Sequence, residues 1–307
     1  MAEVTVKNDG NKALTFKRYK EGEHQWKRPA DDIFKGSHSH KCPTYVHRTP
    51  PCQGGCPSGH DIRGWLAIAR GQEKPENGES WQQLAFYRMV EANPFPAIMG
   101  RVCPAPCEDG CNRNQVEDHV GINAVEHFVG DWALKNKLAL PKPGPDSGKH
   151  VAVIGGGPAG LAAAYFLRRD GHKVTLFEGR KQLGGWVRYG IPGYRTPREV
   201  LDGEIQRIID MGGIEVKTET KVGQDISMES LEKDFDSVFW GIGTQQGRDL
   251  PIPGWTEAEN CISGVDFLAA FNEGRLQYVS PKVVVVGGGD TSIDVASVAR
   301  RLGHVTE

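Results

Sequence analysis

A glycine turn between a buried strand and a helix constrains this chain more than any other feature. Residues 150–178 read HVAVIGGGPAGLAAAYFLRRDGHKVTLFE. The apolar run at 151–154 is a buried strand, and the stretch from Pro158 and Ala159 onward is a helix with a small-residue face. The pattern Gly155-x-Gly157-x-x-Gly160 joins them. In a dinucleotide-binding turn the first glycine permits the tight bend, the second lets a pyrophosphate approach, and the third lets the helix pack on the strand. The helix N-terminus then faces the phosphates. Glu178 closes the next strand, where a carboxylate accepts from ribose hydroxyls. Strand, turn, helix and acid in this order predict a parallel α/β fold that binds a dinucleotide.

The motif begins a second time at 281–307, PKVVVVGGGDTSIDVASVARRLGHVTE. A shift of 132 positions carries Gly155 to Gly287, Gly157 to Gly289 and Gly171 to Gly303. Val283–Val286 is the expected strand, and Asp290, Thr291 and Ser292 open the expected helix. Ser292 stands where the third glycine would be and is small enough for close packing. Asp290 is expected to cap that helix. The same shift carries Glu178 to position 310, beyond the last residue, Glu307. The expectation is a second nucleotide unit, truncated, in a piece of a longer polypeptide.

Seven cysteines complete the outline. Cys42, Cys52 and Cys56 lie in KCPTYVHRTPPCQGGCP (41–57), and Cys103, Cys107 and Cys111 in GRVCPAPCEDGC (100–111). Cys261, in ENCISGVDFL, is expected to be a small core residue. The N-terminus has neither the apolar core nor the cleavage site of a secretory signal, which argues against a disulfide framework and for metal or redox chemistry in the cytoplasm. No apolar run approaches the roughly 20 residues of a membrane span. Ten Lys/Arg against six Asp/Glu in the first 50 residues form a mild basic excess that reads as a solvated face, without a nucleic-acid signature.

The organisation follows. Residues 1–40 are an extension. Residues 41–140 form a helical domain with helices in 61–71, 81–92 and 121–136, the second stopped by Asn93-Pro94. Residues 141–149 are a Pro/Gly linker, 150–280 the first part of one nucleotide domain, and 281–307 the start of another.

Downstream of Glu178, Gly184, Gly185 and Trp186 let backbone run beside a flat ligand, and Arg195 offers a fork for phosphate. The strand of 235–240 runs into Gly241-Ile242-Gly243-Thr244. These features resemble the two-dinucleotide flavoproteins, in which the first turn holds FAD and the second NAD(P)H. With C-x3-C-P, N-P-x-P, G-R-V-C-P-x-P-C-E-x-x-C and GG-x-x-RYGIP added, residues 41–307 resemble the small subunit of glutamate synthase and its iron–sulfur flavoprotein relatives. The first cysteine segment and the Lys-rich start look most like the DsrL-type flavoproteins associated with dissimilatory sulfite reductase.

That resemblance implies an oxidoreductase built as an α-helical 4Fe–4S domain, a Rossmann-like FAD domain and an incomplete NAD(P)H domain. It implies electron transfer between NAD(P)H and a separate protein through FAD and two 4Fe–4S clusters. Sirohaem sulfite reductase is the expected partner in a hetero-oligomer, with glutamate synthase the alternative. A different class of reading is a zinc-stapled, nucleotide-sensing module without redox activity. In the family one cluster mixes cysteine with a carboxylate or amide ligand. The implied sets are Cys42, His47, Cys52 and Cys111 for one cluster, and Cys56, Cys103, Cys107 and Glu126 for the other. The plainer readings are that His47 only hydrogen-bonds a sulfide or the backbone and that Glu126 is a helix-face acid. No protein acid or base is required for hydride to pass between cofactors, so no catalytic side chain is assigned.

Overall fold

A computed structural model describes residues 49–76, 78–116, 120–247, 251–255 and 257–304. Two compact units are present: one comprises residues up to Asn93 and Cys103–Val129, the other Pro94–Val102 and Gly130 onward. Among the described residues no helix is long and apolar enough to cross a membrane.

The first unit is helical. Helix α1 spans Pro51–Gly55, α2 Ile62–Ala69 and α3 Trp81–Val90. The Asp61 carboxylate accepts from the Gly64 amide and the Ser80 hydroxyl from the Gln83 amide, so α2 and α3 each start on a side-chain cap. Ile62, Trp65 and Ile68 on α2 and Phe86 and Met89 on α3 are fully buried. Each such side chain contributes about 1.5–3 kcal/mol. Pro94 ends α3 because the residue before a proline avoids the helical region.

Helix α4, Pro96–Val102, lies in the second unit. A four-residue turn, α5, covers Pro106–Asp109. Helix α6 spans Ile122–Lys135. Helices α2, α3 and α6 match the three expected from periodicity, and α4 and α5 are additional.

The second unit is built on a parallel four-stranded sheet in the order β3-β2-β1-β4. Its strands are β1 His150–Ile154, β2 Lys173–Phe177, β3 Ile214–Lys217 and β4 Ser237–Trp240. Val151 pairs with Val174 on one side and Ser237 on the other. Helix α7, Pro158–Arg169, crosses from β1 to β2 as the glycine turn predicts. Helices α8 (Gly185–Tyr189), α9 (Arg198–Ile209) and α10 (Met228–Asp234) follow. Ala152, Ile154, Phe177 and Leu231 form a core beneath the sheet. The 141–149 segment is bound along the end of α7, where the Gly144 amide donates to the Arg169 carbonyl at 2.9 Å.

The second glycine turn departs from expectation. Helix α12 forms over Asp290–Ala299, but Val283–Val286 is not a strand. Strand identity requires a ladder, and no described segment pairs with these residues. Val284 and Val286 are accordingly exposed. The pairing here is instead a two-residue parallel ladder between β5, Tyr278–Val279, and β6, Gly303–His304. Phe267 and Leu268 from α11 (Gly264–Asn272) join Val295 and Val298 of α12 in a small core. Asp290 is the first helical residue rather than the cap; Gly289 holds the cap position. Cys261 is exposed rather than buried, because it sits in the irregular stretch ahead of α11.

Candidate functional site

The first glycine turn is shaped by three different demands. Gly155 has φ 103°, a conformation that a side chain would strain, and a Cβ there would lie 2.4 Å from the Gly241 carbonyl oxygen. A Cβ on Gly160 would lie 1.8 Å from the Gly155 carbonyl oxygen, so this glycine seats α7 against the turn. Gly157 differs. Its φ is −79°, and a Cβ would meet nothing nearer than the Gly185 Cα at 3.6 Å. Neither backbone strain nor protein packing demands glycine at this position, and the space before it is open. Gly157 is also the cap residue of α7, and no side chain caps that helix. Uncapped amides beside an open glycine fit a pyrophosphate.

The Glu178 carboxylate is fixed before any ligand arrives. Oε2 accepts from the Gly156 amide at 2.7 Å and Oε1 from the Arg180 amide at 2.8 Å. Each oxygen keeps a second lone pair for a ribose hydroxyl. The Gly184 amide donates to the Gly156 carbonyl at 2.8 Å, which draws the Gly184–Gly185 loop against the turn. The Trp186 indole donates to the Thr244 carbonyl at 2.8 Å, which ties this loop to the one containing Gly243. Together these residues fit the FAD-binding expectation. Arg195, the expected phosphate fork, pairs through Nη1 with Asp294 of α12 at 2.7 Å. The second turn brings Gly287, with φ 133°, against Ser292, whose hydroxyl lies 2.4 Å from where a Gly287 Cβ would sit. Ser292 therefore allows the close packing expected of a third glycine. Gly289, Asp290 and Thr291 form the uncapped start of α12.

In the helical unit the two cysteine segments lie against each other. A Cβ on Gly55 would be 3.1 Å from the Pro106 carbonyl oxygen, and one on Gly110 would be 3.7 Å from that of Pro51. Cys52 and Cys56 thereby come beside Cys103, Cys107 and Cys111, and all five are free thiols. Cys107 is raised to about 12, by burial first and then by Cys103, Cys56, Glu108 and Glu126 beside it. Burial also raises Cys103, with Glu126 and Cys56 adding to the rise. Cys52 is raised by burial and by Cys111. The thiols thus sort into two neighbourhoods, Cys52 with Cys111, and Cys56 with Cys103, Cys107 and Glu126. None of the resolved causes at Cys103 or Cys107 is a cation. A metal centre supplies the missing positive charge and holds thiols deprotonated. Among the described residues no three His, Cys, Asp or Glu side chains stand close enough to hold one metal ion. Cys42 and His47 lie outside the described residues.

The Ala105 amide donates to Cys103 Sγ at 3.3 Å, and Ala105 holds φ 53°. Pro104 and Pro106 carry no amide hydrogen, so Ala105 is the single backbone donor between Cys103 and Cys107. Glu126 is buried and is not a solvent-facing helix acid. Burial raises it to about 7, against hydrogen bonds from Asn93 and Asn123 that lower it. His60, absent from the residues expected on sequence grounds, is buried 3.6 Å from it.

Comparison with known proteins bears on both halves. Residues 149–306 match the pyridine nucleotide-disulphide oxidoreductase family, and residues 33–138 match dihydropyrimidine dehydrogenase domain II, 4Fe-4S cluster. The NADPH-Fe(3+) oxidoreductase subunit beta of Geobacter sulfurreducens is 36% identical over 271 residues, covering 85% of this chain and 39% of that protein. The NADP(+)-dependent formate dehydrogenase subunit beta of Moorella thermoacetica is 36% identical, covering 83% of this chain and 38% of that one. The glutamate synthase [NADPH] small chain of Mycobacterium tuberculosis is 37% identical over 270 residues, covering 83% and 53%. The chain thus spans between about two fifths and about half of the length of these relatives.

Proposed function

The chain belongs to the pyridine nucleotide-disulphide oxidoreductase family, with a matching iron–sulfur domain ahead of the nucleotide fold, and from that premise we propose that it moves electrons between NAD(P)H and a separate protein through FAD and two 4Fe–4S clusters. The observation that carries this reading is the pair of cysteine segments packed against each other, in the same chain as an open dinucleotide turn. Bound there, the cofactors would supply exchange between two-electron hydride chemistry and one-electron transfer.

The chain's own residues hold and orient. Gly157 and the uncapped α7 amides receive the pyrophosphate, and the amide-anchored Glu178 holds the ribose. Trp186 and Gly184–Gly185 line the approach to the flavin. Cys52 and Cys111, with Cys42 and His47, take one cluster. Cys56, Cys103, Cys107 and Glu126 take the other. Gly287, Gly289, Asp290, Thr291 and Ser292 begin the NAD(P)H site.

We infer that the partner is a separate cytoplasmic acceptor. Sirohaem sulfite reductase is the first candidate, on the character of the 41–57 segment, and glutamate synthase is the second. The test has two parts. Gly157→Val should leave a folded protein without flavin, because a Cβ there meets only the Gly185 Cα, at an ordinary contact distance of 3.6 Å. Full flavin content in that variant would overturn the turn assignment. Iron analysis of the holoprotein should return about eight irons per chain for two such clusters; four would require a different ligand set. Co-purification from the source identifies the acceptor.

A further inference from the structure

Three buried polar side chains meet in the helical unit: His60, Asn93 and Glu126. A carboxylate on a helix is solvated at no cost on the exposed face, and burying it is expensive unless its charge is answered. Glu126 is buried beside thiols, and it pushes both Cys103 and Cys107 upward. Such a carboxylate gains nothing from those sulfurs until a cation stands between them.

The arrangement around it is specific. The Asn93 side-chain amide donates to Glu126 Oε1 at 2.8 Å. His60 Nε2 lies 3.1 Å from the Met89 carbonyl, which only accepts, so this nitrogen carries the ring hydrogen. Nδ1 of the same buried ring faces Oε1 at 3.6 Å. Oε1 takes its hydrogen bond from Asn93, while the imidazole, pinned by the Met89 carbonyl, fills the space beside the carboxylate and limits its swing toward the ring. Trp65, with its ring centre 5.7 Å from that of His60, backs the imidazole. Asn93 is itself placed by the end of α3, where its amide donates to the Met89 carbonyl at 2.9 Å. One carbonyl thus anchors both supporting residues.

We propose that Asn93 and His60 are positioning residues that hold the Glu126 carboxylate toward the cluster bound by Cys56, Cys103 and Cys107. This rests on the reading of Glu126 as a ligand, and the two claims are separable by experiment. Outer partners of metal ligands typically change metal retention by about ten- to a hundredfold when removed.

The test uses the full-length holoprotein, prepared anaerobically, with Glu126→Ala, Asn93→Ala and His60→Gln. Glutamine keeps a donor for the Met89 carbonyl but removes the ring that stands beside the carboxylate. Three quantities are read: iron per chain, the EPR spectrum of the reduced protein, and the rate of iron release to a chelator. Glu126→Ala should alter the signal of one cluster and leave the other unchanged. Asn93→Ala and His60→Gln should shift that same signal and speed its iron release about ten- to a hundredfold. An unchanged spectrum in Glu126→Ala overturns the ligand reading and the proposal with it. A changed spectrum in Glu126→Ala with wild-type spectra and release rates in the other two overturns the positioning claim alone. Should Asn93→Ala fail to fold, His60→Gln decides: a shifted signal supports the proposal, and a wild-type signal and release rate overturn it.

Discussion

Glu204 on α9 is fully buried, and its carboxylate caps a helix from another part of the chain. Oε1 accepts from the Ala97 amide at 2.8 Å and Oε2 from the Ile98 amide at 3.0 Å. These belong to the first turn of α4, where amides have no partner within the helix. Pro96 adds no donor of its own. A hydrogen bond to a charged group is worth about 1.5–3 kcal/mol, and a buried unpaired amide costs a similar amount. Glu204→Gln keeps one acceptor oxygen and turns an NH2 group toward the other amide. The local cost is therefore about 2–3 kcal/mol from one lost bond. At 1.4 kcal/mol per tenfold, exchange of the 95–102 amides with deuterium should accelerate about 30- to 150-fold. Hydrogen exchange read by mass spectrometry on a peptide covering α4 measures this. Glu199→Gln, on an exposed position of the same helix, is the control and should change little. Exchange in Glu204→Gln within threefold of wild type would refute the capping argument.

Gly160→Ala should destabilise the nucleotide fold by several kcal/mol in urea melts, since its Cβ would stand 1.8 Å from a backbone oxygen; a wild-type midpoint would contradict the seating role. In metal-free protein, iodoacetamide at pH 8 should label exposed Cys261 first and Cys107 at least about tenfold more slowly, because only the thiolate reacts and Cys107 is raised to about 12. Equal labelling rates, followed by peptide mapping, would show that the thiol is not held protonated. Stripping iron from the holoprotein should loosen the segments around Cys52–Cys56 and Cys103–Cys111 in hydrogen exchange and leave β1 and β2 protected. Protection lost evenly across the chain would mean that the cysteine segments are not stapled locally.

Local rules made much of this structure readable. Asn93-Pro94 marks the end of α3, and Gly155, Gly157 and Gly160 announce β1-α7-β2, because prolines and glycine turns act within a few residues. The helices and the parallel sheet follow from them. The strand expected at Val283–Val286 failed because a strand exists only with a partner, which composition does not supply. Cys261 looked like a core residue by type, yet burial depends on what covers the loop. Arg195 carried a chemical capability, a fork for phosphate, but sequence does not reveal that Asp294 lies within reach of it. His60 was invisible for the same reason: its meaning comes from Met89 and Glu126, which stand 29 and 66 positions away along the chain. The cysteine neighbourhoods were expected from family resemblance, and spacing alone would not have sorted them.

The interleaving of the two units has a consequence for how such a chain is made. Helix α4 is encoded between the cysteine segments, yet its capping carboxylate, Glu204, is translated more than a hundred residues later. On the ribosome, the nascent N-terminal half emerges with Phe95 and Ile98 waiting for packing partners that have not yet been synthesised. Helix α4 therefore cannot take its cap until that later part of the chain has been made, and its unit cannot be completed segment by segment from the N-terminus. For the same reason a gene fragment cut at the Pro/Gly stretch severs α4 from its cap. Exchange of cluster modules between such proteins would have to carry that helix's seat along with it.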